Sequence, residues 1–372
     1  MSLTYYLRPI ALADSPQSEH GAAVRLAGGL AYASRFALIA RADSRIVSRE
    51  LYGVRELEAA LPGLPDAVRD QWDALRKVHA PLELALCGGG TRTIRLDQPQ
   101  VMGILNVTPD SFSDGGAFMD NPEIANAHAA AMLEAGAALI DVGGESTRPG
   151  AAAVWEGDEI KRVIPAIERL AAMGAAISVD TRRTAVMEAA LDAGAQVIND
   201  VSALRHDPRS LEFAAGSGAP VVLMHAPGEG EDLHGGGDYA DVVLDVFDWL
   251  RARRDAAIAA GIGRERIVLD PGIGFGKSVA DNLALINGLA LFHALGQPLL
   301  LGVSRKRMIG ALSGEAPAHQ RLGGSLTLAL RGVDAGVQLL RVHDVPETIQ
   351  AVRVWRGMRD AALTDFGQLP PG

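Results

Sequence analysis

Asp180, Asn199 and Asp270 each lie at the polar end of a short apolar run, in ISVD, VIND and IVLD. Two carboxylates and a carboxamide offer mostly hydrogen-bond acceptors, with one amide donor pair. Brought to one place, they suit a flat heterocycle with a donor-rich edge, such as a 2-amino-4-oxo pterin or a guanine. One such carboxylate on its own is as easily explained as the partner of a neighbouring Lys or Arg; three groups at one face favour a ligand. Lys306 follows in SRKRMIG, between Arg305 and Arg307. It could bond a ring carbonyl, balance the aspartates, or serve as a base or Schiff-base lysine, and nothing local separates these roles. Arg341 and His343 alternate in LLRVH, so on a strand both point the same way. With Arg148 from the STRPG segment they form a set suited to phosphate or pyrophosphate, which guanidinium groups bind bidentately.

Asn106, at the end of GILN, is a neutral oxygen donor. That suffices for Mg2+, which needs only one or two protein ligands when phosphates supply the rest. His225 and His234 are too loosely spaced to define a metal site, and HxH or HxxE ligand sets are absent. The segment DPGIGFGKS imitates a phosphate loop, but Pro271 stands where that motif requires glycine. Its glycines instead fit a close approach of backbone to ligand, with Phe275 as an apolar wall.

Placing these groups together requires a particular scaffold. Eight apolar runs cross the chain, at 101–107, 139–146, 176–181, 197–202, 220–225, 267–272, 298–304 and 338–345. Such runs fit strands buried on both faces, and the helical stretches between most of them fit parallel crossovers. The expectation is an α/β fold, a (β/α)8 barrel whose active site lies at the carboxyl ends of its strands. LELALC and TRTIRL flank Gly88-Gly89-Gly90 and read as a hairpin closing the barrel's bottom. The barrel region is read as 82–372. Residues 1–81 break the strand–helix rhythm and read as an N-terminal α+β appendage of open role, with a strand at 36–42 and broken helix over 55–80. Long loops at 108–121, 146–159 and 226–240 read as mobile lids at the catalytic face.

Bulk properties narrow the class. The 372 residues carry a net charge of −10 with charges interspersed and no basic block, which argues against a nucleic-acid partner. A single cysteine, Cys87, excludes an internal disulfide and fits a reducing compartment. The start MSLTYYLRPIAL lacks the pattern of a secretory signal, and no uncharged apolar stretch reaches the roughly 18 residues of a membrane span. A cytoplasmic enzyme is expected.

At these residues the chain resembles the dihydropteroate synthase family. The segments are MGILNVTPDSFSDGG, DVGGESTRPGA, SVDTRR, INDVSAL, LDPGIGFGK, GVSRKRMIG and RVHDV, in the family's order and spread over roughly 82–360. The resemblance implies condensation of 6-hydroxymethyl-7,8-dihydropterin pyrophosphate with p-aminobenzoate, giving 7,8-dihydropteroate and pyrophosphate. It implies that Asp180, Asn199, Asp270 and Lys306 hold the pterin, between Met224 and Phe275 with Arg341 stacked over the ring. It further implies Asn106 toward Mg2+, Arg148, Arg341 and His343 on pyrophosphate, and Thr147, Pro149 and Ser304 beside p-aminobenzoate. Asp180, Asp270, Lys306 and Arg341 are the expected catalytic set, and a homodimer is implied. One departure stands out: Ala226-Pro227-Gly228 follows Met224-His225, where the family usually has another Met. A pterin-binding methyltransferase and a pterin-binding protein without turnover are the alternative readings. The pyrophosphate set and the SRK segment disfavour the first, and the intact loop motifs the second.

Overall fold

The computed structural model describes residues 3–108, 122–148, 150–151 and 153–364 of the chain. Four strands, β1 (Leu3–Ala13), β2 (Val24–Arg25), β3 (Tyr32–Ala42) and β4 (Arg45–Gly53), form an antiparallel sheet with β3 at its centre. Two helices follow, α1 (Val54–Ala60) and α2 (Asp66–Arg76). The helical stretch is interrupted at Leu61–Gly63, where Pro62 removes a backbone donor.

The hairpin β5 (Leu82–Ala85) and β6 (Thr91–Ile94) comes next. Its Leu82, Leu84 and Ile94 pack, with Leu96, against Met102, Leu139, Val197, Val222, Val268, Leu300 and Leu339, which lie in the lower parts of the barrel strands. This hairpin therefore fills the bottom of the barrel, as expected.

All eight apolar runs form strands: β7 (Gln100–Asn106), β8 (Leu139–Gly143), β9 (Ile177–Asp180), β10 (Val197–Asp200), β11 (Val221–Met224), β12 (Ile267–Asp270), β13 (Leu300–Leu301) and β14 (Leu339–Val342). They pair in parallel in one sheet, and a bridge from Leu269 to Leu299 joins the sixth to the seventh and closes the barrel. The crossover helices are α3 (Pro122–Ala135), α4 (Glu156–Ala172), α5 (Thr184–Asp192), α6 (Ser210–Ser217), α7 (Val242–Ala259), α8 (Val279–Gly288), α9 (Arg307–Leu312) and α10 (Leu322–Asp334), and α11 (Val345–Leu363) follows β14. The loop expected at 108–121 lies outside the described residues after Thr108.

The N-terminal sheet packs on the outside of the barrel and shares its core. Tyr6 is fully buried, donates its hydroxyl to Asp248 (2.6 Å), and meets Phe247 edge-on with ring centres 5.6 Å apart. Phe247 lies 6.2 Å from Phe292, while Arg41 pairs with Asp245 at 2.6 Å. Two helix-seven carboxylates thus anchor two sheet residues around an aromatic contact. Burying an aromatic side chain contributes about 2–3 kcal/mol, so this junction stabilises both partners.

Two outcomes follow for stability. A chain starting at residue 82 leaves Phe247 and Phe292 in water, and size-exclusion chromatography is expected to show aggregate rather than monomer-sized barrel. Tyr6→Ala should lower unfolding stability by about 3–4 kcal/mol, read from urea midpoints.

Candidate active site

The strand register sets the floor of the site. Asn106, Gly143, Asp180 and Asn199 are successive cross-strand partners on β7, β8, β9 and β10, so their Cα atoms form one row across the sheet. Met224 and Asp270 are paired in the same way on β11 and β12. Below that row lies Asp141, two residues before Gly143 and fully buried. Its Oδ2 accepts Nε of Arg341 at 2.6 Å and Nδ2 of Asn199 at 3.1 Å. Arg341 reaches further, donating Nη2 to Asp180 Oδ2 at 2.6 Å. Burial works against the Arg341 charge, but Asp141 and Asp180 outweigh it and hold its pKa above the usual guanidinium value. Asn199 commits one amide N–H to Asp141, which leaves its carbonyl oxygen and its second N–H for a ligand. Sequence alone assigned no role to Asp141. The available signal was a charged residue inside the apolar run LIDVG, where a strand buried on both faces tolerates a charge only if it is paired.

Asp180 and Asp270 are both raised by burial, Asp180 against the pull of Arg341. Asp270 is pushed up to about 6, with the Gly272 N–H, 2.7 Å from Oδ1, and Lys306 opposing. Lys306 is in turn pushed down to about 8 by burial, against the attraction of Asp270. Its ammonium sits 4.5 Å from the centre of the Phe275 ring, a cation–π arrangement. Phe275 joins Met224, Val201, Ala226 and Leu233 in an apolar cluster beside the carboxylates. A donor-rich edge facing Asp180, Asn199 and Asp270 would therefore have apolar surface alongside.

Lys306 is turned inward by strained backbone. Arg305 has a left-handed φ of 55°, uncommon outside glycine. It is held by its own N–H to Ser325 Oγ (2.9 Å), by Arg321 on its carbonyl (3.0 Å), and by its guanidinium on Asp344 (2.5 Å). The basic trio thus divides: Arg305 braces the turn and Lys306 faces the site.

At the rim, Ser304 Oγ accepts the His343 N–H at 3.1 Å and lies 3.0 Å from His343 Nδ1. His343 is held well below the ordinary imidazole range by burial and then by Arg305, Arg341, Lys306 and Arg148. It stays neutral, and Arg148 and Arg341 supply the positive charge. Arg148 is exposed, and Thr147 follows the second strand on the same loop. Pro149 lies outside the described residues.

Two further networks position the loops, and no local signal marks their pairing. Glu145 accepts both amino groups of Arg183 (2.8 and 3.0 Å) and Nε of Arg182 (3.0 Å), while Arg183 also reaches Glu159 at 2.8 Å. Although burial opposes it, the two arginines pull the Glu145 carboxyl down to about 2. Lys277 donates to His225 Nδ1 (2.9 Å), Gly272 O (2.8 Å) and Phe275 O (2.9 Å). His225, pushed down to about 2 by burial and then by Lys277, is a neutral acceptor of the lysine ammonium. DPGIGFGKS is accordingly a turn cross-braced by its own lysine and not a phosphate cradle.

Comparison with known proteins agrees with this geometry. The family described as "Pterin binding enzyme" matches residues 102–343. The dihydropteroate synthase of Neisseria meningitidis serogroup B is 46% identical over 273 residues, 72% of this chain and 96% of that protein. The Xanthomonas albilineans dihydropteroate synthase solved with 4-aminobenzoic acid superposes with a TM-score of 0.68 at 46% identity, covering 78% of this chain and 100% of that one. The same enzyme in complex with 7,8-dihydropteroate gives 0.66 at 45% identity, covering 78% and 100%. With matching barrel, strand-end residues and near-complete coverage of these relatives, the chain belongs to the pterin-binding enzymes, in the dihydropteroate synthase family.

Proposed function

We propose that this chain is a transferase of folate synthesis that joins 6-hydroxymethyl-7,8-dihydropterin pyrophosphate to p-aminobenzoate. The observation that carries this reading is the convergence of Asp180, Asn199 and Asp270 around Arg341, with Lys306 beside them. The carboxylates and the Asn199 carbonyl accept from the pterin's amino and ring N–H groups, Lys306 donates to its carbonyl, and Met224 and Phe275 cover its faces.

In the reaction the bond from the pterin methylene to the pyrophosphate oxygen breaks, and pyrophosphate leaves with the electron pair. The cation left on the methylene delocalises into the ring, where ionised Asp180 and Asp270 stabilise it. Arg148 and Arg341 take up the leaving charge, and neutral His343 donates a hydrogen bond. The amine of p-aminobenzoate, held beside Thr147, Pro149 and Ser304, attacks the methylene and loses a proton. No protein nucleophile is needed; positioning and charge suffice.

A Mg2+ ion fits the same rim. Among the described residues no three His, Cys, Asp or Glu side chains are grouped to hold a metal; ligand phosphates and water would supply most of the coordination. Asn106 suits that arrangement, since its carboxamide is partly exposed beside Asp180 and has no hydrogen-bond partner among the described residues. When bound, the ion would neutralise pyrophosphate charge. Exposed Val354 and Met358, one turn apart on α11, support a homodimer. No helix among the described residues is long and apolar enough to cross a membrane. The single cysteine, Cys87, fits the reducing compartment of a cytoplasmic enzyme.

The deciding assay is pyrophosphate release with and without p-aminobenzoate and Mg2+; release that ignores the amine would overturn the synthase reading. Arg341→Ala should lose at least about 100-fold in turnover, as one removed transition-state donor does, while circular dichroism stays unchanged. Asp270→Ala should remove pterin binding on calorimetry. The pH profile of kcat/KM should be bell-shaped, because Asp180 and Asp270 must be ionised and Lys306 charged. Activity then falls on the acid side as the two buried carboxylates take up protons, and above about pH 8 as Lys306 loses its own; a profile flat on both sides would remove that assignment. Asp141→Ala strands Arg341 with one partner, and should lower stability by about 3 kcal/mol in urea unfolding.

A further inference from the structure

Loop five, from Ala226 to Ala240, is where the chain departs from its family's pattern after Met-His, and it lies tightly on loop six. Gly276 has a left-handed φ of 58°, and a Cβ there would stand 2.3 Å from Pro227 Cγ and 3.1 Å from the His234 carbonyl oxygen. A Cβ on Gly237 would lie 2.3 Å from the Gly276 oxygen. Only glycine allows these two backbones to come so close. The result is a fixed seat for one side chain, His234.

The His234 ring stacks on Phe275 with centres 5.1 Å apart and planes 9° from parallel. Its Nε2 lies 2.9 Å from the Thr147 carbonyl on loop two, and its Nδ1 accepts the Gly276 N–H at 3.4 Å. One neutral tautomer, with the proton on Nε2, satisfies both contacts. The loop also has anchors that do not involve His234. Arg182 donates to Gly230 O (2.8 Å), and Arg205 donates to Ala226 O (3.0 Å) and Gly228 O (2.9 Å). His234 can therefore be changed without releasing the loop.

We propose that His234 is a positioning residue that holds the Thr147 backbone against the Phe275 wall and so sets the p-aminobenzoate pocket beside the bound pterin. This rests on the reading above, in which Thr147 borders the amine and Phe275 the pterin. The contacts form a continuous path from loop two through His234 and Phe275 to Lys306. The amine pocket takes its position from the pterin wall, and the histidine is the link.

Steady-state kinetics on the full chain test this. His234→Ala should raise the KM for p-aminobenzoate about five- to tenfold, as loss of one hydrogen bond does, with kcat and the pterin dissociation constant within about twofold of the unaltered enzyme. His234→Gln keeps a donor at similar reach and should restore most of the amine KM. His234→Phe keeps the stack without the donor and should not. An unmoved amine KM in His234→Ala, or full recovery by His234→Phe, would overturn the proposal. So would equal weakening of both substrates with a lower melting temperature, which marks mere loop packing. If the unaltered enzyme shows no amine-dependent turnover, the reading of the site fails instead; normal turnover with unresponsive variants sinks only the role of His234.

Discussion

The centre of this barrel is organised by one largely buried charge, the guanidinium of Arg341, whose side chain is 21% exposed. Removing it from water is costly, and it stays ionised because Asp141 and Asp180 each accept from it at 2.6 Å. The three residues come from strands eight, two and three, so satisfying the charge also fixes how those strand ends face one another. Asn199 follows, because Asp141 accepts its amide and thereby turns its carbonyl toward the mouth. Asp270 and Lys306 have no comparably close partner of opposite charge among the described residues, and both are shifted toward neutrality by burial. The site is thus electrostatically tense on the side expected to read the pterin, and a ligand with matching donors relieves that tension.

Around this centre the loops are held by charge networks beside one small apolar cluster, Val201, Met224, Ala226, Leu233 and Phe275. Glu145 gathers Arg182 and Arg183, joining the loops after strands two and three, and Arg182 extends the network to Gly230 and Glu231 on loop five. Lys277 saturates its ammonium on one turn and on His225. Such networks suit loops at a wet rim, where backbone must be rigid but too little apolar surface is available to bury. They also explain why this mouth contains many charged residues of which few face a substrate.

Away from the mouth, stability has a different basis. The N-terminal sheet contributes Tyr6 and Arg41 to an aromatic and ionic contact with Phe247, Asp245 and Asp248. The hairpin closes the barrel floor with leucines and isoleucine. Both are apolar seals placed far from the chemistry, which lets the strand ends carry buried charge that would be unaffordable in a weaker scaffold.

The order of elements, the eight strands, the bottom hairpin and the polar strand ends were all legible in the sequence, because they rest on local signals: continuous apolar runs, turn glycines, and a charged residue where such a run stops. The same signals exposed Asp180, Asn199 and Asp270 as one constellation, whereas Lys306 joined it only through the family resemblance. Pairing was not legible. Nothing local distinguishes Asp141, held inside an apolar strand, as the partner of a residue 200 positions later. Nor does it show that Arg305 braces a turn while Lys306 faces inward, or that His225 accepts from Lys277 while His234 joins two loops. A side chain's type and strand position are written in its neighbours along the chain. Its partner is decided by closure of the barrel, which brings distant strand ends within hydrogen-bond reach and makes each buried charge find whichever opposite group the fold delivers.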